Sequence, residues 1–333
     1  MYTPRLSVII PCYDNGTLLS EMIDCIRRQT YRDWELIVVD DGSRDGTPGV
    51  VAAFAAEDDR IRLIRREREP KGATTCRNIG FDHARGEYLI FFDADDLIAD
   101  TCFERRVAFM DANPDADYAS FPAKYFTDSA HLPAITDKGK SWGVGDDSMD
   151  ALTSLLYGDY LFAVWCNIYR RASLAPFRWD EQIKIYQDLD YLLTGLLSGK
   201  LTHRFGYQDR LDYYYRINQS SGTNICASFT KNGKHASTLY LFGKTLDALA
   251  LREDYPRRRE EFFHFIILTF RRYIIEGSGN RQIMKDYLTF CRSRYPEKAG
   301  KLRFINNMSI YLPNSWVRQK ASALLCTVLF GHR

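Results

Sequence analysis

The sequence predicts an α/β fold in which a mainly parallel central sheet is flanked by helices and followed by a mostly helical C-terminal region. Three observations predict it. Strand-like and helix-like patterns alternate from Leu6 to Phe92 with short joins. Two of those strands run straight into acidic turns. From about Asn224 onward the patterns are helical and rich in aromatic residues.

Leu6 to Ile10 is a short apolar strand ending in Pro11, and Leu18, Leu19, Met22, Ile23 and Ile26 recur on one side of a helix. Glu35 to Val39 is the next strand, closed by Asp40, Asp41 and Gly42. A helix over Pro48 to Ala56 and a strand over Arg60 to Ile64 follow, then a helix over Ala73 to Ala84. Leu89, Ile90, Phe91 and Phe92 form an unbroken apolar run, as expected of a fully buried strand. Asp111 to Asp117 reads as a turn, and Ser120 to about Asp150 as a long Gly/Asp-rich loop, a lid or substrate loop. Apolar runs, strand-like or helical, return at Leu152 to Ile168. A boundary near 225 divides residues 1–225, themselves split into halves 1–100 and 101–225, from a helical region 226–333.

The 333 residues carry 45 basic and 43 acidic side chains, a formal charge of +2 that offers no electrostatic footprint for nucleic acid. The basic runs Arg65 to Arg68 and Arg257 to Arg259 read as solvated faces, with a phosphate or an anionic membrane surface as the alternative. The eight cysteines are scattered without a C-x-x-C pair, which fits free thiols in a reducing compartment. The apolar stretch before Cys12 is too short for a signal peptide, and "EFFHFIILTFRRYII" is broken by Arg271 and Arg272 before it could span a bilayer. The expectation is a cytoplasmic protein, touching the inner face of the cell membrane from the side if at all.

Parallel strands align their carboxyl ends, so Asp41 and the group Asp93, Asp95 and Asp96 are expected to face one crevice. Three carboxylates so close together are unfavourable unless something positive joins them. Asp93 and Asp95, two apart on a turn, could both reach a divalent cation; hard oxygen ligands suit Mg²⁺ or Mn²⁺, which in turn hold a diphosphate. Asp41 could accept the imide N–H of uracil or another base donor. The competing reading of the acidic turn is a helix cap with an Asx-turn. No G-x-G-x-x-G follows the first strand, which runs instead into "PCYDNG". P-loop, G-x-S-x-G and H-E-x-x-H patterns are absent too, and His83 reads as structural.

The stretch "LSVIIPCYDNGTLLSEMIDCIRRQTYRDWELIVVDDGSRDGT" resembles the start of the family 2 glycosyltransferases, and the resemblance continues through "KGATTCRNIGFDHARGEYLIFFDADD". These motifs span most of residues 5 to 100, in order and at family spacing. Cys76 stands where the family commonly has Ala before the Arg-Asn pair. "VWCNIYRRASL" and "FRWDEQIKIYQDLDYLL" also look like the family's acceptor-side segments.

The resemblance implies a GT-A type nucleotide-diphospho-sugar transferase fold with the following roles. Pro11 and Tyr13 line the nucleotide, Tyr13 stacking on the base unless it is only a half-buried turn residue. Asp41 hydrogen-bonds the base, and Arg77 lies near the donor phosphates or base. Asp95 is the direct metal ligand, and Asp93 serves the ribose or the metal's shell. Where the family has a Glu-Asp pair starting a helix, this chain reads Gln187-Asp188, so the Glu is missing and Asp188 is the candidate general base, with Asp190 as understudy and an N-cap role as its rival. Trp165 and Asn167 fit an acceptor wall, with plain core as the alternative for Trp165. Arg216 and Ser220, in "YYYRINQSSGT", would close over the diphosphate, although a His often found there is lacking.

The implied activity is metal-dependent, inverting transfer of a hexose or N-acetylhexosamine from a UDP-sugar to a hydroxyl of a glycan or lipid-linked glycan, in surface polysaccharide or lipopolysaccharide assembly. Its rivals are a nucleotidyltransferase, which would want a Gly/Arg/Lys-rich loop where this chain has Tyr13-Asp14-Asn15, and a non-catalytic nucleotide- or glycan-binding module of the same fold. The final segment, mixing Trp and Leu with Arg and Lys, suits core or a homo-oligomer contact, or else a membrane surface.

Overall fold

The computed structural model describes residues 3–137, 141–148, 150–157, 163–217, 233–276, 281–310, 312 and 315–330. They fall into two compact units: Met1–Leu155, Tyr160–Glu181 and Gln187–Ser221 form one, and Leu156–Asp159, Gln182–Tyr186 and Gly222–Arg333 the other.

The first unit opens with β1 (Leu6–Cys12), α1 (Gly16–Arg27), β2 (Trp34–Asp40), α2 (Thr47–Glu57), β3 (Ile61–Arg65), α3 (Ala73–His83) and β4 (Tyr88–Phe91). β1 lies between β2 and β4, parallel to both, with Cys12 opposite Asp40 and Ile9 opposite Phe91. β3 extends the sheet beyond β2, with Arg65 opposite Asp40. β1 and β2 are buried along nearly their whole length, which accounts for their mostly apolar sequences, and buried Glu35 is paired with Arg62 and Arg85. β1 runs through Pro11 instead of stopping there. Ile9 accepts a bond from Phe92 N, so by alternation Pro11 also faces the β4 side, where the ladder has already ended and its missing N–H costs nothing. Helix α3 rides directly on β1: a Cβ at Gly80 would meet Ile9 Cγ2 at 2.4 Å. That close approach brings the face of α3 carrying Arg77 down to the sheet edge.

The rest of the unit adds β5 (Leu97–Ile98), α4 (Cys102–Ala112), β6 (Tyr118–Ser120), β7 (Ala123–Phe126), β8 (Ser141–Trp142), α5 (Ala151–Tyr157), β9 (Asn167–Arg170), α6 (Arg171–Leu174), α7 (Gln187–Leu197), β10 (His203–Phe205) and β11 (Tyr213–Arg216). Among the described residues the main sheet has seven strands in the order β10-β6-β9-β4-β1-β2-β3, with β9 antiparallel to β4 and β6. A second sheet has four, in the order β5-β11-β7-β8. The expected long loop from Ser120 is therefore partly strand. Its apolar residues are too few for a periodicity signal, and β7 and β8 exist because they pair with each other and with β11.

A buried ion pair ties residues 101–217 of this unit together. Arg106, fully buried on α4, makes two 2.7 Å bonds to Asp212 and donates to the carbonyls of Trp165 and Asn167. All seven described cysteines are free and buried.

The second unit contains α8 (Lys234–Leu249), α9 (Tyr255–Glu276), α10 (Arg281–Arg294), α11 (Pro296–Ile310) and α12 (Ser315–Phe330). Phe242, Phe262 and Phe265 cross at ring distances of 5.7–5.9 Å in its core. The Arg257 to Arg259 run pairs with Asp254, Glu261 and Glu297 and is not held open for a phosphate. Phe304, Met308, Leu324 and Val328 remain 49–71% exposed on α11 and α12. Among the described residues no helix is long and apolar enough to cross a membrane.

Candidate active site

The carboxyl ends of β1, β2, β3 and β4 lie in one row, as the parallel register requires, and bring Tyr13, Asp41, Arg66 and Asp93 to one edge of the sheet. Pro11 is half-buried just before this edge. Tyr13 is 42% exposed, and the Lys71 ammonium sits over one face of its ring, 3.3 Å from the centroid.

Asp41 is buried, and its Oδ1 accepts from Arg66 Nε at 2.5 Å and Gly72 N at 3.1 Å, with Cys76 Sγ at 3.6 Å. Arg66 was hidden in a run read as solvated face. Only the β2–β3 register, Arg65 opposite Asp40, sets it beside a residue 25 positions earlier.

Arg77 is buried on α3 and links two distant segments. Its Nη2 donates to Asp93 Oδ1 at 2.7 Å, its Nη1 donates to Gln187 Oε1 at 3.3 Å, and its guanidinium lies 4.7 Å from the Trp179 ring centroid. Trp179 in turn stacks on Tyr191 at 4.2 Å. Arg77 Nε is buried and finds no acceptor among the described residues.

The acidic turn divides its labour. Asp96 is fully buried and structural: Tyr213 donates its hydroxyl to Oδ2 at 2.5 Å and Arg216 its N–H to Oδ1 at 2.7 Å, which locks β11 against the turn. Asp93 is held by Arg77. Among the described residues no side chain donates to the carboxylate of Asp95. Burial, and then the neighbouring charge of Asp93, push it up to about 6. Among the described residues no group of three or more His, Cys, Asp or Glu side chains forms a metal cluster. One or two hard oxygen donors, one of them destabilised as an anion, would suit a Mg²⁺ or Mn²⁺ ion that completes its shell with other oxygens.

Arg216 lies against this turn. It donates from Nε to the Asp95 carbonyl at 2.7 Å and from Nη2 to Glu21 at 2.6 Å, beside the Phe126 ring. Ser220 lies outside the described residues.

Asp188, in the first turn of α7, is half-buried and accepts from Val164 N at 3.3 Å. Burial raises its carboxyl above the ordinary range; Arg77 partly offsets that shift, and Asp93 adds to it. Asp188 therefore belongs to the same electrostatic neighbourhood as the acidic turn. Asp190 is buried, 3% exposed. Trp165 is 4% exposed, stacked on Tyr213 and Tyr215 at 4.7 and 5.4 Å. Asn167 is fully buried with its amide committed at both ends, donating to Tyr169 and accepting from Ser120. These two residues build the floor of the second sheet and the strand beneath it.

The family model described as Glycosyl transferase family 2 matches residues 7–174. The putative glycosyltransferase EpsE of Bacillus subtilis (strain 168) is 38% identical over 243 residues, covering 71% of this chain and 81% of that protein. The uncharacterized glycosyltransferase EpsJ of the same organism is 28% identical over 225 residues, 67% of this chain, so that the match spans 64% of EpsJ. Among solved structures, S. aureus TarS 1-349, in complex with UDP-GlcNAc, is similar with a TM-score of 0.71 over 98% of this chain and 92% of that one, at 17% identity.

Proposed function

The chain belongs to glycosyl transferase family 2 and has the GT-A fold, and on that premise we propose that it is an inverting transferase moving a hexose or N-acetylhexosamine from a UDP-sugar to a glycan hydroxyl. The observation that carries this reading is the position of Arg77, which joins Asp93 of the acidic turn to Gln187 at the start of the helix bearing Asp188. Donor side and proton acceptor are thereby tied through one side chain.

Tyr13 offers its exposed ring to the base, and Asp41 an acceptor oxygen to a base N–H. Asp93 and Asp95 would hold the cation, which when bound neutralises charge on the departing nucleoside diphosphate. Asp188 takes the proton of the acceptor hydroxyl as that oxygen bonds to the anomeric carbon. The bond from that carbon to the diphosphate oxygen breaks on the opposite face, and the electron pair leaves with the nucleotide. The raised affinity of Asp188 for a proton suits this task. Val164 N–H, bonded to one of its oxygens, orients it. Trp165 stiffens the acceptor side from within, and Arg216 fixes the turn carrying Asp95.

The fold neighbour solved with UDP-GlcNAc makes UDP the first nucleotide to test. Calorimetric titration with UDP, with and without Mn²⁺, on wild type and Asp95→Ala is expected to show metal-dependent binding that the substitution removes. No binding of any nucleoside diphosphate would end the reading.

The acceptor partner on this reading is a glycan or a lipid-linked glycan. Phe304 and Met308 on α11, and Leu324 and Val328 on α12, form exposed i, i+4 pairs. In sequence, Lys298, Lys301, Arg303, Arg318, Lys320 and Arg333 outnumber Glu297, the sole acid from residue 296 onward. Exposed apolar pairs in a strongly basic segment complement an anionic lipid surface.

A further inference from the structure

We propose that Arg66 is a positioning residue that sets the nucleobase preference by pinning one oxygen of Asp41 and leaving the other as a bare acceptor. The proposal rests on the reading of Asp41 as the base acceptor and deepens it. Three donors converge on Oδ1: Arg66 Nε at 2.5 Å, Gly72 N at 3.1 Å and Cys76 Sγ at 3.6 Å. None is given to Oδ2 among the described residues, and the side chain keeps 9% of its surface exposed, which leaves that oxygen to a ligand donor.

Arg66 cannot easily swing away. Its own N–H is bonded to the Asp40 carbonyl at 2.9 Å, and its Nη1 donates to the Arg68 carbonyl at 2.6 Å and to Glu69 at 3.4 Å. Arg68 is in turn forked onto Glu181 at 2.6 and 2.7 Å. The carboxylate is thus held at one rotation with one saturated oxygen.

The consequence is a chemical filter. A base edge presenting a ring N–H, as uracil does at N3, meets a charged acceptor and gains a strong bond. Cytosine presents a lone pair at that position, so acceptor meets acceptor and both stay buried without a donor. If Asp41 could rotate, it could retreat from that clash, and the discrimination would fade.

The test is titration of the wild-type protein, Arg66→Met and Arg66→Lys with UDP, CDP and pyrophosphate, each with Mn²⁺. Wild type is expected to prefer UDP over CDP by about tenfold or more. In Arg66→Met, UDP should weaken by about tenfold and the UDP-to-CDP ratio fall toward one, with pyrophosphate affinity unchanged; Arg66→Lys should recover part of the ratio. A ratio unchanged in both variants, or an equal loss for all three ligands, overturns the proposal. Should Arg66→Met not fold, Arg66→Lys and N3-methyl-UDP on wild type decide: full affinity for the methylated base overturns it. Wild type that binds neither nucleotide removes the transferase reading as well, whereas UDP binding with no base preference removes the role of Arg66 alone.

Discussion

Arg77 Nη2 stands 2.7 Å from Asp93 Oδ1, although the two residues come from different elements and the arginine is almost fully buried. Removing the arginine leaves Asp93 beside Asp95 and Asp188 without its cation. Arg77→Ala is therefore expected to cost about 2 kcal/mol of stability, less than a fully buried pair because Asp93 keeps 31% of its side-chain surface. It should also lower kcat/KM by more than Arg77→Lys does, because lysine keeps the charge but not the fork that reaches Gln187. Denaturant melts and steady-state rates on both variants check the ranking; equal losses would mean that charge alone matters.

Asp188 is expected to dominate kcat and to contribute little to donor binding. Asp188→Asn should lower kcat by about 10² to 10⁴-fold with UDP affinity within a few-fold of wild type. A base works only when ionised, so kcat should climb with pH. Burial raises this carboxyl, placing the limb above the ordinary carboxylate range. A flat profile across that limb would assign the proton to another group.

His203 makes the fold sensitive to acid. Ser120 gives its single hydroxyl proton to Asn167, so the bond between Ser120 Oγ and His203 Nε2 at 2.9 Å requires the ring nitrogen to donate. Burial holds the imidazole down to about 3, against an ordinary value of 6.5. Between those two values the unfolded chain takes up a proton that the native state refuses. Stability should be fully present above pH 6.5 and fall on acidification, by at most about 1.4 kcal/mol per pH unit, the slope set by a single proton. His203→Gln, which retains a donor, should flatten that slope in thermal melts taken from pH 7 to 4.5.

Sedimentation with vesicles tests the lipid surface. Wild type is expected to pellet with vesicles containing anionic lipid and to remain in solution with purely zwitterionic ones or at high salt. Leu324→Ser combined with Val328→Ser, at positions 64% and 71% exposed, should abolish pelleting while leaving UDP binding unchanged. Concentration-dependent self-association in place of vesicle binding would assign the surface to a second copy of the chain.

The sequence by itself determined the strand-helix alternation through Phe92, the row of carboxyl-terminal turns and the placement of Asp41, Asp93 and Asp95 in it. Apolar period and acidic punctuation are local signals, and parallel register follows from them almost by rule. It also singled out Gln187-Asp188 as the place to look for a base. What only the tertiary structure decided are the partnerships between residues far apart in the chain. Asp96, alike in sequence to Asp93 and Asp95, became a buried anchor because Tyr213, 117 residues away, donates to it. Asn167 and Trp165, attractive as an acceptor wall, went into the core because Ser120, Tyr169, Tyr213 and Tyr215 surround them. Arg66 and Arg77 acquired their carboxylate partners through β-sheet register and through a glycine that lets α3 press on β1. A charge pattern read along the chain cannot tell a solvated arginine from one aimed at a carboxylate; only packing supplies the neighbour and excludes the water that would otherwise screen it.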